Sequence, residues 1–168
     1  MNLKLKFFVV FFLVIFFQVI TYAQAKNKNI EEKNIFDISE LSLKLENHSL
    51  LVYKDGQISY QDEHGIKPLL IQIKKKGLKD AIVVDKLVGK AAALLMVYGG
   101  VKQVHTNIIA KDAMIVFEKY NIKYSANEIV EYIQNRTKDG LCPMEEKVKN
   151  IDKPKKAYKI FKKIIKLN

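Results

Sequence analysis

The chain has 168 residues, about half of them hydrophobic, enough for one domain with terminal extensions and too apolar for a disordered protein. Its net charge of +11 is concentrated at the ends: Lys4 and Lys6 lie in residues 1–25, and residues 147–168 hold nine lysines against Asp152 alone, which leaves +1 for residues 26–146. A nearly neutral body excludes the broad cationic footprint of a nucleic-acid-binding fold, so no specific nucleic-acid binding is expected. The single cysteine, Cys142, excludes an intramolecular disulfide.

The amino terminus reads as an address. Two lysines precede a charge-free run from Phe7 to Ala25, and Ala23-Gln24-Ala25 fits the small-x-small pattern of a signal-peptidase site. The same 19 residues are just long enough to serve as an uncleaved anchor across a bilayer core of about 30 Å. Either reading makes the protein exported, to a periplasm or the medium, or membrane-anchored by this segment. Residues 26–35 read as a polar linker. Asp37 could cap a short helix reaching Asn47, although Leu41, Leu43 and Leu45 alternate as in a strand. The expected domains are therefore a leader over 1–25, a linker with a short helix over 26–47, and a body over 48–168.

The body opens on a hairpin: Leu50–Lys54, then Asp55-Gly56, then Gln57–Tyr60. Asp-Gly supplies the positive φ values of a two-residue turn. A helix over Pro68–Lys76, stopped by Gly77, comes next. Ala81–Val84 reads as a buried strand that Asp85 ends, followed by a helix over Val88–Tyr98 that stops at Gly99-Gly100. Then come a strand over Val101–Ile109, a helix over Asp112–Tyr120 with Asn121 as its left-handed stop, and a short strand over Ile122–Tyr124. Ser125 and Glu128 have capping-box spacing, which predicts a helix over Glu128–Asn135. Further helices are expected from Pro143 and over Lys155–Leu167. This order predicts an α/β fold in three layers, a mixed β-sheet flanked by helices.

Four blocks carry a resemblance: Gly65 to Leu70, Val84 to Ala93, Tyr98 to Val101, and Gly140 to Glu145. Together they resemble the family called domain of unknown function 1893, over roughly residues 49–160. The resemblance implies a cytidine-deaminase-like fold and no established activity; the apolar leader departs from the plain soluble domains of that family. Zinc deaminases carry His-x-Glu and Pro-Cys-x-x-Cys at two helix starts. The corresponding positions here read Asp85-Lys86-Leu87 and Ala110 to Met114, so no zinc and no other cofactor is called for.

The candidate site therefore rests on other residues. Asp85, at a strand's carboxyl end, could act as base or acceptor, or simply cap the next helix. Lys86 and Lys90, four apart, would share a helical face near its positive pole and suit an anion; otherwise they are two solvated lysines. Cys142 precedes Pro143 at a helix start, where a thiolate nucleophile would be favoured; the alternative is a buried structural thiol. Asn135, Arg136 and Glu145 flank it. Arg136, the sole arginine, offers a planar fork to a phosphate or carboxylate, or pairs with Asp139 or Glu145. Three functions follow: a zinc-free domain binding a small anionic or nucleotide-like ligand, a cysteine-dependent enzyme using Cys142, or a non-catalytic envelope-associated protein. The basic amphipathic tail either docks on the body or contacts an anionic membrane.

Overall fold

The computed structural model describes residues 13–24, 26, 38 and 40–165. Much of the expected linker and the last three residues of the tail lie outside them. The chain divides into two units, residues 1–40 and 41–168. In the first, residues 13–24 are helical, with Phe16, Phe17 and Tyr22 exposed. Among the described residues, no helix is long and apolar enough to cross a membrane.

The second unit is built on one five-stranded sheet. Its strands are β1 (Leu50–Lys54), β2 (Gln57–Gln61), β3 (Ile82–Val88), β4 (Gln103–Ala110) and β5 (Lys123–Val130), in the order β2-β1-β3-β4-β5. β1 is antiparallel to both neighbours, whereas β3, β4 and β5 run parallel. Its helices are α1 (residues 41–45), α2 (Lys67–Lys75), α3 (Lys90–Gly99), α4 (Lys111–Lys119), α5 (Pro143–Val148) and α6 (Pro154–Ile164). The expected mixed sheet flanked by helices is present.

Local chemistry explains much of this. Asp55 and Gly56 sit at φ 51° and 76°, the paired positive values that a tight hairpin needs. Gly100, at φ 79°, closes α3 in the left-handed region. Leu41 and Leu45, four apart, are buried and Leu43 is 74 % exposed, which settles α1 as helix rather than strand. With Leu51 and Val84 they form a small cluster on one face of the sheet. The main core covers the other face. There α3 is buried on all sides, from Ala91 to Met96, and α6 packs Ala157 and Phe161 into the same core. Tyr98 of α3 stacks on Tyr158 of α6 with centroids 4.2 Å apart. The basic tail thus docks on the body by its apolar side.

Two sequence expectations fail, for related reasons. Asp85 does not end its strand: β3 runs on to Val88, and α3 begins at Lys90 with Gly89 as its cap. Lys86 is consequently a strand residue and shares no helical face with Lys90. The helix expected over Glu128–Asn135 is absent, because β5 continues through Ser125 to Val130. Pairing with β4 overrides the local capping pattern. Ser125 Oγ lies 2.8 Å from His105 Nδ1, and Asn127 donates to Asn107 at 3.2 Å, both across the strand pair.

The parallel strands share an irregularity. Register runs through Asp85↔Thr106↔Ala126 and resumes at Leu87↔Ile108↔Glu128, with no pair at the intervening step. Side chains alternate along a strand, so Val83 and Leu87 should share a face, as should Val104 and Ile108. Instead Val88 and Ile109 join Val83 and Val104 in the main core. Leu87 and Ile108 are therefore turned to the opposite face. Short local bonds hold the step: the Leu87 amide donates to Asp85 Oδ1 at 3.2 Å, and Thr106 Oγ1 donates to the Ile108 carbonyl at 3.0 Å.

Candidate functional site

The half-step produces a crevice. Leu87, Ile108 and Val130, from the carboxyl ends of β3, β4 and β5, form its floor, and residues 131–136 with Lys138 form its lip. Its volume is about 530 Å³, within the range of small-molecule sites. The position, outside the carboxyl ends of parallel strands, is where open α/β sheets hold ligands.

Tyr132, 48 % exposed, stands at the rim with Arg136 and Lys138. The third charged residue there, Glu131, is paired with Lys111. Among the described residues neither Arg136 nor Lys138 enters an ion pair. The salt bridge from Arg136 to Asp139 or Glu145, one of the alternatives above, is not formed, and the crevice carries two uncompensated cations. The lip itself is firmly tied. Asn135 Nδ2 and Thr137 Oγ1 both donate to Asp139 Oδ1 at 2.7 Å, and these bonds hold the Asp139 carboxyl below its ordinary pKa. The Asn135 amide donates to the Gly140 carbonyl at 2.9 Å, and Gln134 bridges Leu141. Asn135 therefore lines the crevice while shaping the turn that presents Arg136.

Lys90 and Glu145 come together elsewhere. The Glu145 carboxylate accepts the Lys90 and Ala91 amides at 2.8 and 3.0 Å, so it caps α3. Burial raises its pKa, partly offset by those amides. The Lys90 ammonium, only 12 % exposed, donates to the Lys149 carbonyl at 2.9 Å and pairs with Asp152 at 3.3 Å. The positive pole of α3, which an external anion could have used, is occupied by the protein's own carboxylate. The niche between these groups measures about 30 Å³, room for little more than a water molecule. Glu131 and Tyr132 line both this niche and the crevice.

Asp85, Lys86 and Cys142 are not among the residues lining either hollow. Asp85 shares a cross-strand row with Leu50 and Thr106, and its carboxyl lies beneath the helix layer. Burial raises its pKa to about 7 against the bonds from the Leu87 and Lys86 amides. Lys86 is exposed. Cys142 is the backbone cap of α5, as expected, but its side chain makes no capping bond; its amide donates to the Ile133 carbonyl at 2.9 Å. Among the described residues no three metal-ligating side chains converge. With α3 beginning at Lys90, the segment that stands at the first helix start is Gly89-Lys90-Ala91 rather than Asp85-Lys86-Leu87.

Leu87, Ile108, Val130, Tyr132 and Lys138 were not apparent as site residues in the sequence. The signal was there in part: read as strand to Val130, residues 131–138 become the segment leaving a parallel strand's carboxyl end.

Comparison with known proteins agrees with this architecture. The family described as Domain of unknown function (DUF1893) matches residues 39–165. Among solved structures, the chain is similar to a DUF1893 family protein (TM1506) from Thermotoga maritima. Identity is 26 %, with a TM-score of 0.71 over 79 % of this chain and 91 % of that one. It has a fainter likeness to a diaminohydroxyphosphoribosylaminopyrimidine deaminase/5-amino-6-(5-phosphoribosylamino)uracil reductase from the same organism. There identity is 18 % and the TM-score 0.37, over 46 % of this chain and 28 % of that one, too slight to carry an argument. No curated protein matches. With the family's pattern running from the helix before the hairpin to the end of α6, the chain belongs to the DUF1893 family.

Proposed function

We propose that the domain binds a small anionic, nucleotide-like molecule in the crevice beyond β3, β4 and β5. The observation that carries this is the pair of unpartnered cations, Arg136 and Lys138, at the mouth of an apolar hollow. An apolar floor with a few convergent polar groups is the usual make-up of a small-molecule site. Arg136 would grip a phosphate or carboxylate through two parallel N–H bonds, and Lys138 would add a point charge. The Tyr132 ring offers a face to a planar group. Arg136 is exposed, so its removal tests binding without disturbing the core.

Isothermal titration with nucleoside monophosphates, and with inorganic phosphate as competitor, provides the test. Binding by at least one monophosphate is expected, weakened ten- to a hundredfold in Arg136→Ala, as loss of a charged hydrogen bond requires. If no probe binds, or if Arg136→Ala binds as the unaltered protein does, the crevice is not the ligand site.

A further inference from the structure

The apolar side of α6 is accounted for by the core, but the other side is not. Lys155, Lys156, Lys159, Lys162 and Lys163 are all exposed. At 100° per residue they fall within an arc of about 120°. Lys153, just before the helix, is exposed as well. No acidic residue interrupts this face. The one acid nearby, Asp152, is engaged by Lys90. None of the six lysines enters an ion pair among the described residues, and Lys162 meets only the Tyr158 ring, at 6.0 Å. An array of like charges without counter-charges repels itself, and an anionic surface relieves that repulsion.

We propose that this outward face of α6 docks on an anionic lipid bilayer. Three observations favour lipid over nucleic acid. The charges lie along a single helix. Its aromatic residues are turned away from it: Phe161 is buried and Tyr158 is stacked on Tyr98, which leaves no platform for bases. The same chain also carries the charge-free helical segment over 13–24, whose Leu13, Phe16, Phe17 and Val19 are exposed. Because the apolar side of α6 is committed to the core, contact is electrostatic, without insertion of the helix. Each lysine near such a surface strengthens partition roughly fivefold.

The test uses residues 39–168, which contain every member of both apolar clusters and correspond to nearly the whole of the similar DUF1893 structure. This domain is sedimented with phosphatidylcholine vesicles, with and without phosphatidylglycerol. Binding is expected only with phosphatidylglycerol, and it should weaken as salt is raised. The triple variant Lys155→Gln, Lys159→Gln, Lys163→Gln should bind about a hundredfold more weakly. The corresponding Lys→Arg triple should bind as the unaltered domain does, since it keeps the charge. Equal sedimentation with neutral vesicles, indifference to salt, unweakened binding of the glutamine triple, or preferential transfer to duplex DNA added as competitor would each overturn the proposal.

Discussion

Glu145 and Gly89 make one device, and it can be dissected. An alanine Cβ at Gly89 would stand 2.5 Å from Glu145 Oε1, 2.6 Å from Cδ and 2.8 Å from Oε2, so the carboxylate caps α3 only because position 89 has no side chain. Glu145→Ala leaves the Lys90 and Ala91 amides without acceptors. At about 1–2 kcal/mol for each orphaned buried amide, with part returned because the costly burial of a carboxylate is relieved, the net loss is about 2–3 kcal/mol. In a domain of this size that lowers Tm by about 10 °C. Gly89→Ala should lose about 2 kcal/mol by expelling the same carboxylate. Its backbone is not the cause, because φ −103° and ψ −176° suit any residue. In a Glu145→Ala background Gly89→Ala should therefore be nearly neutral. Urea denaturation of the two single variants and the double variant gives the coupling energy, expected at about 2 kcal/mol. If Gly89→Ala costs as much without Glu145 as with it, the mutual fit is not what stabilises this junction.

Asp85 yields a pH prediction. With a pKa of about 7 folded and 3.8 when exposed, it holds its proton more tightly in the folded state between those values. Its contribution to stability is complete below pH 4 and is lost as pH rises through 7. Asp85→Asn, which keeps an acceptor for the Leu87 amide, should remove this slope and gain about 2–4 kcal/mol at pH 8, read from denaturation midpoints across pH; an unchanged slope would refute it. Phe161→Ala, at a fully buried position in α6, should cost about 3–5 kcal/mol, measured by thermal unfolding. A loss under about 1 kcal/mol would mean that α6 is not part of the cooperative core.

The hairpin, α2, α4 and α6 were legible because each is marked by its own residues: Asp55-Gly56, Pro68 and Gly77, Asn121, and the apolar stripe holding Ala157 and Phe161. β5 was not. Ser125 and Glu128 carry a helix-start pattern, and only the neighbouring β4, twenty residues away in the chain, reveals that Ser125 meets His105. The length of β3 was hidden similarly. Asp85 reads locally as a cap, whereas its carboxyl serves the Leu87 amide within the strand. With β3 running to Val88, Lys86 lies on the strand and not on the helix that begins at Lys90. Of the candidate site residues, Asn135 and Arg136 line the crevice, because a polar loop with a lone arginine is visible in one dimension. Glu145 and Lys90, both candidates for ligand contact, are engaged by the protein itself: Glu145 by the Lys90 and Ala91 amides and the Lys90 ammonium by Lys149 and Asp152, pairings across 55 and 59 residues that no local pattern encodes. The floor of the crevice depends on a missing register step, which has no residue signature.

That missing step has a mechanical consequence. Because Leu87, Ile108 and Val130 belong to paired strands, the base of the hollow is part of the sheet itself. Its one-sided margin belongs to the segment tied through Asn135, Asp139 and the Gln134–Leu141 bridge. On the proposed function, discrimination by size would reside in the aliphatic side chains at three strand positions, and the tied margin that bears the guanidinium would fix where the charged end of a guest lies.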